Sequence, residues 1–142
     1  MHSPSVYIFR ESIEEPTAIL KTYRDEFLMG RKLDITEVDE TIEGETSTIF
    51  VGRYNLWDDA NSEVKSINNL RYPLEVQFYG EQSEDYGGPR KEFFRLALGH
   101  IRTTFLVEGQ TVKLLKSSTL IANQSFYTAG VIIGNFIVTC LN

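Results

Sequence analysis

Cysteine is almost absent from this chain of 142 residues, in which Cys140 is the only thiol. One thiol forms neither an internal disulfide nor a multi-cysteine zinc cluster, so both are excluded, and a reducing compartment fits best. Histidine is also scarce: His2 and His100 are the only two, too few for a histidine metal site. No serine lies in a nucleophile-elbow pattern with a partner histidine, so hydrolase chemistry has no support. The sequence therefore predicts no metal and no other cofactor.

Basic residues are in deficit, since 14 lysines and arginines face 20 acidic residues, which gives a formal net charge of -6. A chain of this charge has no general attraction to phosphate backbones or anionic lipids, so nucleic acid is not an expected partner. The first ten residues lack the basic stretch and apolar run of a secretory signal, which predicts a cytoplasmic or nuclear location. The apolar stretch at 126–141 is shorter than the roughly twenty residues that span a bilayer, so no membrane partner is expected.

Apolar residues are plentiful enough for a core. Hydrophobic residues make up 42% of the chain and aromatic residues 12%, more than a disordered segment carries. At this length one compact folding unit is expected.

The first third of the chain predicts a helix and then a linker. Apolar residues from Ile19 to Phe27 recur at helical spacing, and Gly30 follows as a C-cap, so residues 16–29 are expected to form an amphipathic helix. Acidic residues without a lasting period dominate residues 32–47, which is typical of a solvated linker.

The middle of the chain alternates strands and helices. Period-two patterns predict strands at 48–53 and 74–79, and a stripe at helical spacing predicts a helix at 56–67 with Asn55 as its N-cap. Pro89 suits the first turn of a third helix. The apolar face of that helix consists of Phe94, Ala97, Leu98, Ile101 and Phe105.

The last third is less regular. Val112, Leu114 and Leu115 indicate a short strand, and residues 117–124 indicate a turn or a single helical turn. Residues 125–141 carry no charge and are almost all apolar, so they predict a helix that is buried on most sides.

The strongest local pattern spans the end of the second predicted strand and the start of the third predicted helix. It reads LEVQFYGE at 74–81 and DYGGPRKEFF at 85–94. The pattern resembles the entry motif of the HECT domain, in which a strand ending in Phe-x-Gly-Glu leads through Asp-x-Gly-Gly into a helix that opens Arg-x-Glu-Phe/Trp-Phe. The residues that carry the resemblance are Phe78, Gly80, Glu81, Asp85, Gly87, Gly88, Arg90, Glu92, Phe93 and Phe94.

The resemblance extends in both directions from this motif. IFVGR at 49–53 and LWDDA at 56–60 are similar to the family's preceding strand and first helix. FYTAGVIIG at 126–134 is similar to its buried helix with two spaced glycines, Gly130 and Gly134. Residues 48–142 thus resemble the N-terminal portion of a HECT N-lobe, preceded by a helix and acidic linker at 1–47. The implied fold class is α+β, a partial large subdomain in which helices pack with short strands.

The resemblance implies the activity of an E3 ubiquitin-protein ligase. In that family an E2 conjugating enzyme docks on the N-lobe, and ubiquitin passes to a cysteine of the C-terminal lobe as a thioester and then to a substrate lysine. The E2-docking subdomain and the catalytic lobe both follow the region that matches here, so a truncated domain without ligase activity of its own is expected. The implied partners are ubiquitin, an E2 conjugating enzyme and the rest of the HECT domain.

Cys140 is not expected to be the nucleophile of such a ligase. It lies in the apolar helix predicted at 125–141, whereas the family's nucleophile lies in a Thr-Cys-Phe-like loop of the separate C-terminal lobe. A buried thiol is raised in pKa and is a poor nucleophile. Cys140 is therefore predicted to be structural, and no residue of the chain is predicted to be catalytic.

Other hypotheses stand beside the ligase fragment. One is a non-catalytic ubiquitin-binding or protein-binding regulatory module derived from a HECT domain, because some members of the family bind ubiquitin noncovalently through the segment that corresponds to 105–119. Another is a phosphate cradle formed by the two glycines and Arg90, or a cation site in the acidic loop. The acids from Glu81 to Asp85 argue against phosphate, and they lack the alternating spacing of a calcium loop. A weaker one is membrane association through the small-xxx-small spacing of Gly130 and Gly134, against which a buried core helix is preferred.

Two predictions test this fold directly. Gly87 or Gly88 should adopt a positive φ angle, with Pro89 in the first turn of the helix that follows, because the turn chemistry requires both. One apolar core should contain Phe78, Phe94, Leu98 and Ile133.

Overall fold

The computed structural model describes residues 15–31, 43–82, 87–107, 109 and 111–139. Five helices and four short strands occur among these residues, which confirms the α+β class. Their order is α1 (Pro16–Phe27), β1 (Ser47–Val51), α2 (Leu56–Lys65), β2 (Leu74–Phe78), α3 (Gly88–Phe105), β3 (Leu106–Val107), β4 (Lys113–Leu114), α4 (Ser118–Ala122) and α5 (Ser125–Thr139).

Strands β1 and β2 pair in parallel, with Ser47 opposite Leu74 and Val51 opposite Phe78. A parallel pair needs a crossover connection, which α2 supplies. Along β2 the side chains alternate between buried and half-buried, as the period-two pattern predicts. Both strands therefore end at the same edge, close to the start of α3.

Helix α3 begins as the turn chemistry predicts. Gly87 has a φ of 114°, and Pro89 lies in the first turn of the helix that starts at Gly88. Helix α3 packs against β2, α2 and α5, so it is the central element of the described fold. Its buried side chains are Arg90, Phe93, Phe94, Ala97, Ile101 and Phe105.

The predicted shared core is confirmed for three of its four members. Phe78 and Phe94 are buried, and Leu98 packs against them from a half-buried position. The prediction was wrong for Ile133, which is 38% exposed, whereas its neighbour Ile132 is only 1% exposed. Successive helical residues point about 100° apart, so only one of two adjacent isoleucines faces the core.

Helix α5 is also less covered than its sequence predicts. The expected burial on most sides was wrong for the described residues, because Tyr127, Ile133 and Ile137 are exposed. Its other flanks contact α1, α2, α3 and α4. Helix α1 itself has no fully buried residue and lies against α5. No helix among the described residues is both long and apolar enough to cross a membrane.

Strands β3 and β4 form a small antiparallel hairpin, with Val107 opposite Lys113. The predicted short strand is therefore present, and the predicted helical turn before α5 is α4. Most apolar side chains of this segment remain in solvent, including Val112 and Leu114. The hairpin adds little to the core.

Several sequence-based predictions lie outside the described residues. They concern residues 1–14, most of the acidic linker at 32–42, Asp85 in the acidic loop, and Cys140. The boundary between residues 1–47 and 48–142 stays a prediction.

Candidate functional site

Several described residues of the HECT-like motif lie where the two parallel strands end and α3 begins. Arg53, just after β1, donates from Nε to Glu81 Oε1 at 2.6 Å and from Nη1 to Glu92 Oε1 at 3.2 Å. Its guanidinium carbon lies 4.5 Å from the ring centroid of Phe78. Glu92 also accepts two hydrogen bonds from Arg95. These five residues, named the strand-end junction below, join the loop after β1, the end of β2 and the first turns of α3.

The charges of the strand-end junction stabilise one another. The pKa of Glu92 is lowered to about 2 by its hydrogen bonds from Arg95 and then from Arg53. The pKa of Glu81 is also lowered, chiefly by the hydrogen bond from Arg53. Both carboxylates are thus charged at neutral pH. Because Arg53, Glu81 and Arg95 are exposed and Glu92 is partly exposed, these ion pairs fix geometry more than they stabilise the fold.

Glycines shape the turns on either side of this junction. Gly80 has a φ of 79° and Gly87 a φ of 114°, in the left-handed region that favours glycine. Gly88 has ordinary helical geometry, and a Cβ there meets no atom within 4 Å. The turn therefore requires Gly87, whereas Gly88 is replaceable.

The aromatic pair of the motif, Phe93 and Phe94, lies inside the core with ring centroids 5.8 Å apart. Arg90 is only 2% exposed, so its side chain faces the interior. The phosphate cradle considered from the sequence is therefore wrong as far as Arg90 is concerned, because a buried guanidinium does not reach a phosphate at the surface.

A second feature, absent from the sequence predictions, is a cavity of about 480 Å³ beside the junction. Three rings form its wall and give it the name aromatic cavity. Trp57 stacks on His100 with centroids 4.9 Å apart and planes 13° apart, and Phe105 meets Trp57 edge-on at 4.8 Å. The sequence offered one usable signal, since His100 follows the buried Ala97 by three residues on α3 and so lies near its apolar face.

Burial and one carboxylate act on His100 in opposite directions. Desolvation lowers the pKa of His100, and the nearby carboxylate of Asp58 raises it by a smaller amount. The net shift is downward from 6.5, so the imidazole is neutral at pH 7. The three rings in the wall of the aromatic cavity are therefore all uncharged at neutral pH.

A polar network fixes the far end of the aromatic cavity. The Ser125 hydroxyl donates to Asn123 Oδ1 at 2.6 Å, and Asn61 Nδ2 and Lys65 Nζ both donate to the Asn123 carbonyl, at 3.0 and 2.6 Å. Thr128 in turn donates to Asn61 Oδ1. The start of α5 is thereby held against α2, which sets the depth of the cavity.

Gly130 and Gly134 lie on the outer side of α5. A Cβ at either position meets nothing within 4 Å, so neither glycine serves close packing among the described residues. Both glycines line an apolar groove of about 340 Å³ between α1 and α5, together with Tyr23 and Phe27. None of the residues of the strand-end junction lines this groove.

The described part of the chain offers few side chains for metal-dependent chemistry. No group of three histidine, cysteine, aspartate or glutamate side chains there could hold a metal ion. The three sites built from the residues above are a junction of charged side chains, a cavity with aromatic walls and an apolar groove. All three suit binding or positioning better than bond-breaking.

Comparison with known proteins gave no assignment. No family model matches the chain, and no curated protein matches it.

Proposed function

We propose that this chain forms the first part of the N-lobe of a HECT-type E3 ubiquitin-protein ligase. Ligases of this type transfer ubiquitin from an E2 conjugating enzyme to a cysteine of their own and then to a substrate lysine. In this proposal the chain contributes no reacting group. It holds the N-lobe in shape for the lobe that carries the cysteine, and it acts in the cytoplasm or the nucleus with ubiquitin, an E2 and the rest of the domain.

The observation that carries the proposal is the convergence of the motif residues at one place. A strand ending in Phe78, a left-handed Gly87 and the buried pair Phe93 and Phe94 succeed one another within 17 residues. Glu81, the acid of the motif, is tied back to the loop after β1 through Arg53. These described members of the motif each have a structural task around one junction, which supports a scaffold role for this segment.

The first experiment extends the reading frame of the transcript beyond the codon of Asn142. The proposal expects an in-frame C-terminal lobe with a cysteine in a Thr-Cys-Phe-like loop. The longer protein should then form a reductant-sensitive thioester with ubiquitin that is lost when that cysteine is replaced by serine. An in-frame sequence without such a lobe would contradict the ligase assignment.

The second experiment uses the polypeptide 1–142 as it is. It is incubated with ubiquitin-activating enzyme, several E2 enzymes, ATP and ubiquitin, and analysed on a non-reducing gel. No adduct is expected, because the apolar sequence around Cys140 predicts a buried thiol and burial disfavours the reactive thiolate. A band abolished by reductant and by Cys140→Ser would show that Cys140 accepts ubiquitin, against the structural role proposed for it.

A second candidate function is noncovalent binding of ubiquitin or another protein by a non-catalytic module. The observation in its favour is the segment from Phe105 to the start of α4, where Val107, Val112, Leu114 and Leu115 are exposed on and beside the hairpin. Exposed aliphatic clusters of this kind often mark protein contacts. Titration of ¹⁵N-labelled chain with ubiquitin should shift the amide signals of the hairpin, and Leu114→Ser should abolish the shifts. Unchanged spectra at millimolar ubiquitin would exclude this binding.

A further inference from the structure

Apart from Arg53, the residues that line the aromatic cavity have no role in the proposed function. Its wall is formed by Trp57, His100 and Leu96, and Tyr54 lies at its mouth. Tyr54 is 102% exposed, unusual for a side chain with so large an apolar ring. A volume of about 480 Å³ admits a long side chain. Aromatic faces around such a space carry negative electrostatic potential, which attracts a cation.

The turn that presents Tyr54 is held in place by the first turn of α2. The Gly52 amide donates to Asp59 Oδ2 at 2.8 Å, and the Asp59 amide donates to the Asn55 carbonyl at 2.9 Å. Tyr54 lies between these two anchors. Its position at the mouth of the cavity is therefore set by the backbone, although its ring makes no packing contact that buries it.

Two opposite charges line the aromatic cavity, those of Arg53 and Asp58, and the His100 ring in its wall is neutral at pH 7. Arg53 is already engaged by Glu81 and Glu92 in the strand-end junction. Asp58 takes part in none of the ion pairs of the described residues and lies close enough to His100 to affect its titration. The carboxylate of Asp58 is therefore the available charge at this site.

We propose that the aromatic cavity binds a cationic side chain, lysine or arginine, of a partner polypeptide. The aliphatic stem of that side chain packs against Trp57 and Leu96, and its charged end reaches Asp58 near the ring of Tyr54. An anionic ligand is disfavoured, because it meets the carboxylate of Asp58 while Arg53 is engaged by Glu81 and Glu92. A wholly apolar side chain fits the walls but leaves Asp58 without a partner. This proposal is independent of the ligase assignment and does not use its motif.

The pH response follows from the same geometry. His100 on α3 and Asp58 on α2 both line the cavity, and Arg53 is the other charged residue of its lining. As the pH falls through the lowered pKa of His100, its imidazolium adds a positive charge to the wall and takes up the carboxylate of Asp58. Binding of a cationic side chain should therefore weaken on acidification.

The test uses the fluorescence of Trp57, the only tryptophan of the chain, as an internal probe of the cavity wall. The polypeptide 1–142 is titrated with acetyl-Gly-Gly-Lys-Gly-Gly-amide, with the same peptide carrying arginine, and with a norleucine peptide that keeps the stem without the charge. A saturable change is expected with the lysine or the arginine peptide, and the pair distinguishes the two cations. The norleucine peptide should bind at least about fivefold more weakly, the effect of one partly exposed charge pair.

Variants then assign the binding to Asp58. Asp58→Asn should weaken binding of the cationic peptide about fivefold and leave the norleucine peptide unaffected. Asp25→Asn, which removes the same charge from exposed α1, is the matched control and should change nothing. Equal binding of the norleucine and cationic peptides, or equal effects of the two variants, would overturn the proposal. The proposal would also be overturned if no saturable change appeared with peptide at about 10 mM, because a single side-chain anchor should give at least this affinity.

Discussion

Two parts of the described chain differ in how far their apolar residues are buried. From β1 to α3 the apolar faces close on one another, and residues such as Ile49, Val76 and Phe94 are buried. In the hairpin, α4 and the outer side of α5, comparable residues such as Leu114 and Ile121 remain exposed. The first part closes its core together with Ala129 and Ile132 of α5. The second part presents a surface on which apolar contacts with another polypeptide can form.

The boundary between the two parts runs along α5, which offers a matched pair for the largest predicted effect. Ile132 is buried and Ile133 is exposed, although they are neighbours of the same type. Ile132→Ala should lower the free energy of unfolding by about 2 to 4 kcal/mol, because it opens a cavity in the core. Ile133→Ala should cost less than about 1 kcal/mol. Urea unfolding of both variants measures the difference, and equal losses would show that the outer side of α5 is closed in solution.

The sequence predicted the part from β1 to α3 more fully than the hairpin, α4 and the outer side of α5. The strands, the crossover helix and the turn at Gly87 follow from residues near one another in the chain, whose spacing is visible without the fold. Ile133 was misplaced because periodicity gives the angle between two residues and not which side a neighbouring element covers. The same limit applies to Phe105, whose burial was predicted but whose ring contact with Trp57 was not.

The candidate site likewise has features that the sequence predicted and features that it did not. The motif from Phe78 to Phe94 was picked out by its spacing, and its described residues lie at the end of β2, in the turns and at the start of α3. The role of Arg53 was not predicted, because its partners Glu81 and Glu92 lie 28 and 39 residues away. The aromatic cavity was missed for the same reason, since Trp57 and His100 belong to different helices. Contacts between distant residues carry no local signature.

The second prediction concerns the turn that closes the first part. Gly87→Ala should lower the free energy of unfolding by about 1 to 2 kcal/mol, because φ at this residue is 114° and a Cβ is strained there. Gly88→Ala is the control at the adjacent residue. It has open space for the Cβ and should be neutral or stabilising by a few tenths of a kcal/mol, roughly the gain in helix propensity. Equal destabilisation by the two variants would place the strain elsewhere in the loop.

The smallest predicted effect concerns the ion pairs of Glu92, at the edge of the part from β1 to α3. Its folded pKa of about 2 is below the ordinary value of 4.5, so its ionised form stabilises the fold above pH 4.5. That contribution is lost as the pH falls from 4.5 towards 2, since protonation then occurs in the folded protein as well. Glu92→Gln should therefore lower the melting temperature slightly at pH 7 and converge with the wild type near pH 2.

Salt separates this electrostatic effect from a change in packing. The difference between Glu92→Gln and the wild type at pH 7 should shrink between low salt and molar salt, because exposed charges are screened. Glu26→Gln on α1 removes an exposed carboxylate that takes part in none of the ion pairs of the described residues, so it should show neither dependence. A Glu92→Gln deficit that persists at pH 2 and in high salt would mean that the side chain supports the start of α3 by contact instead of charge. Packing would then stabilise the edge of the part from β1 to α3, as it stabilises the core of that part.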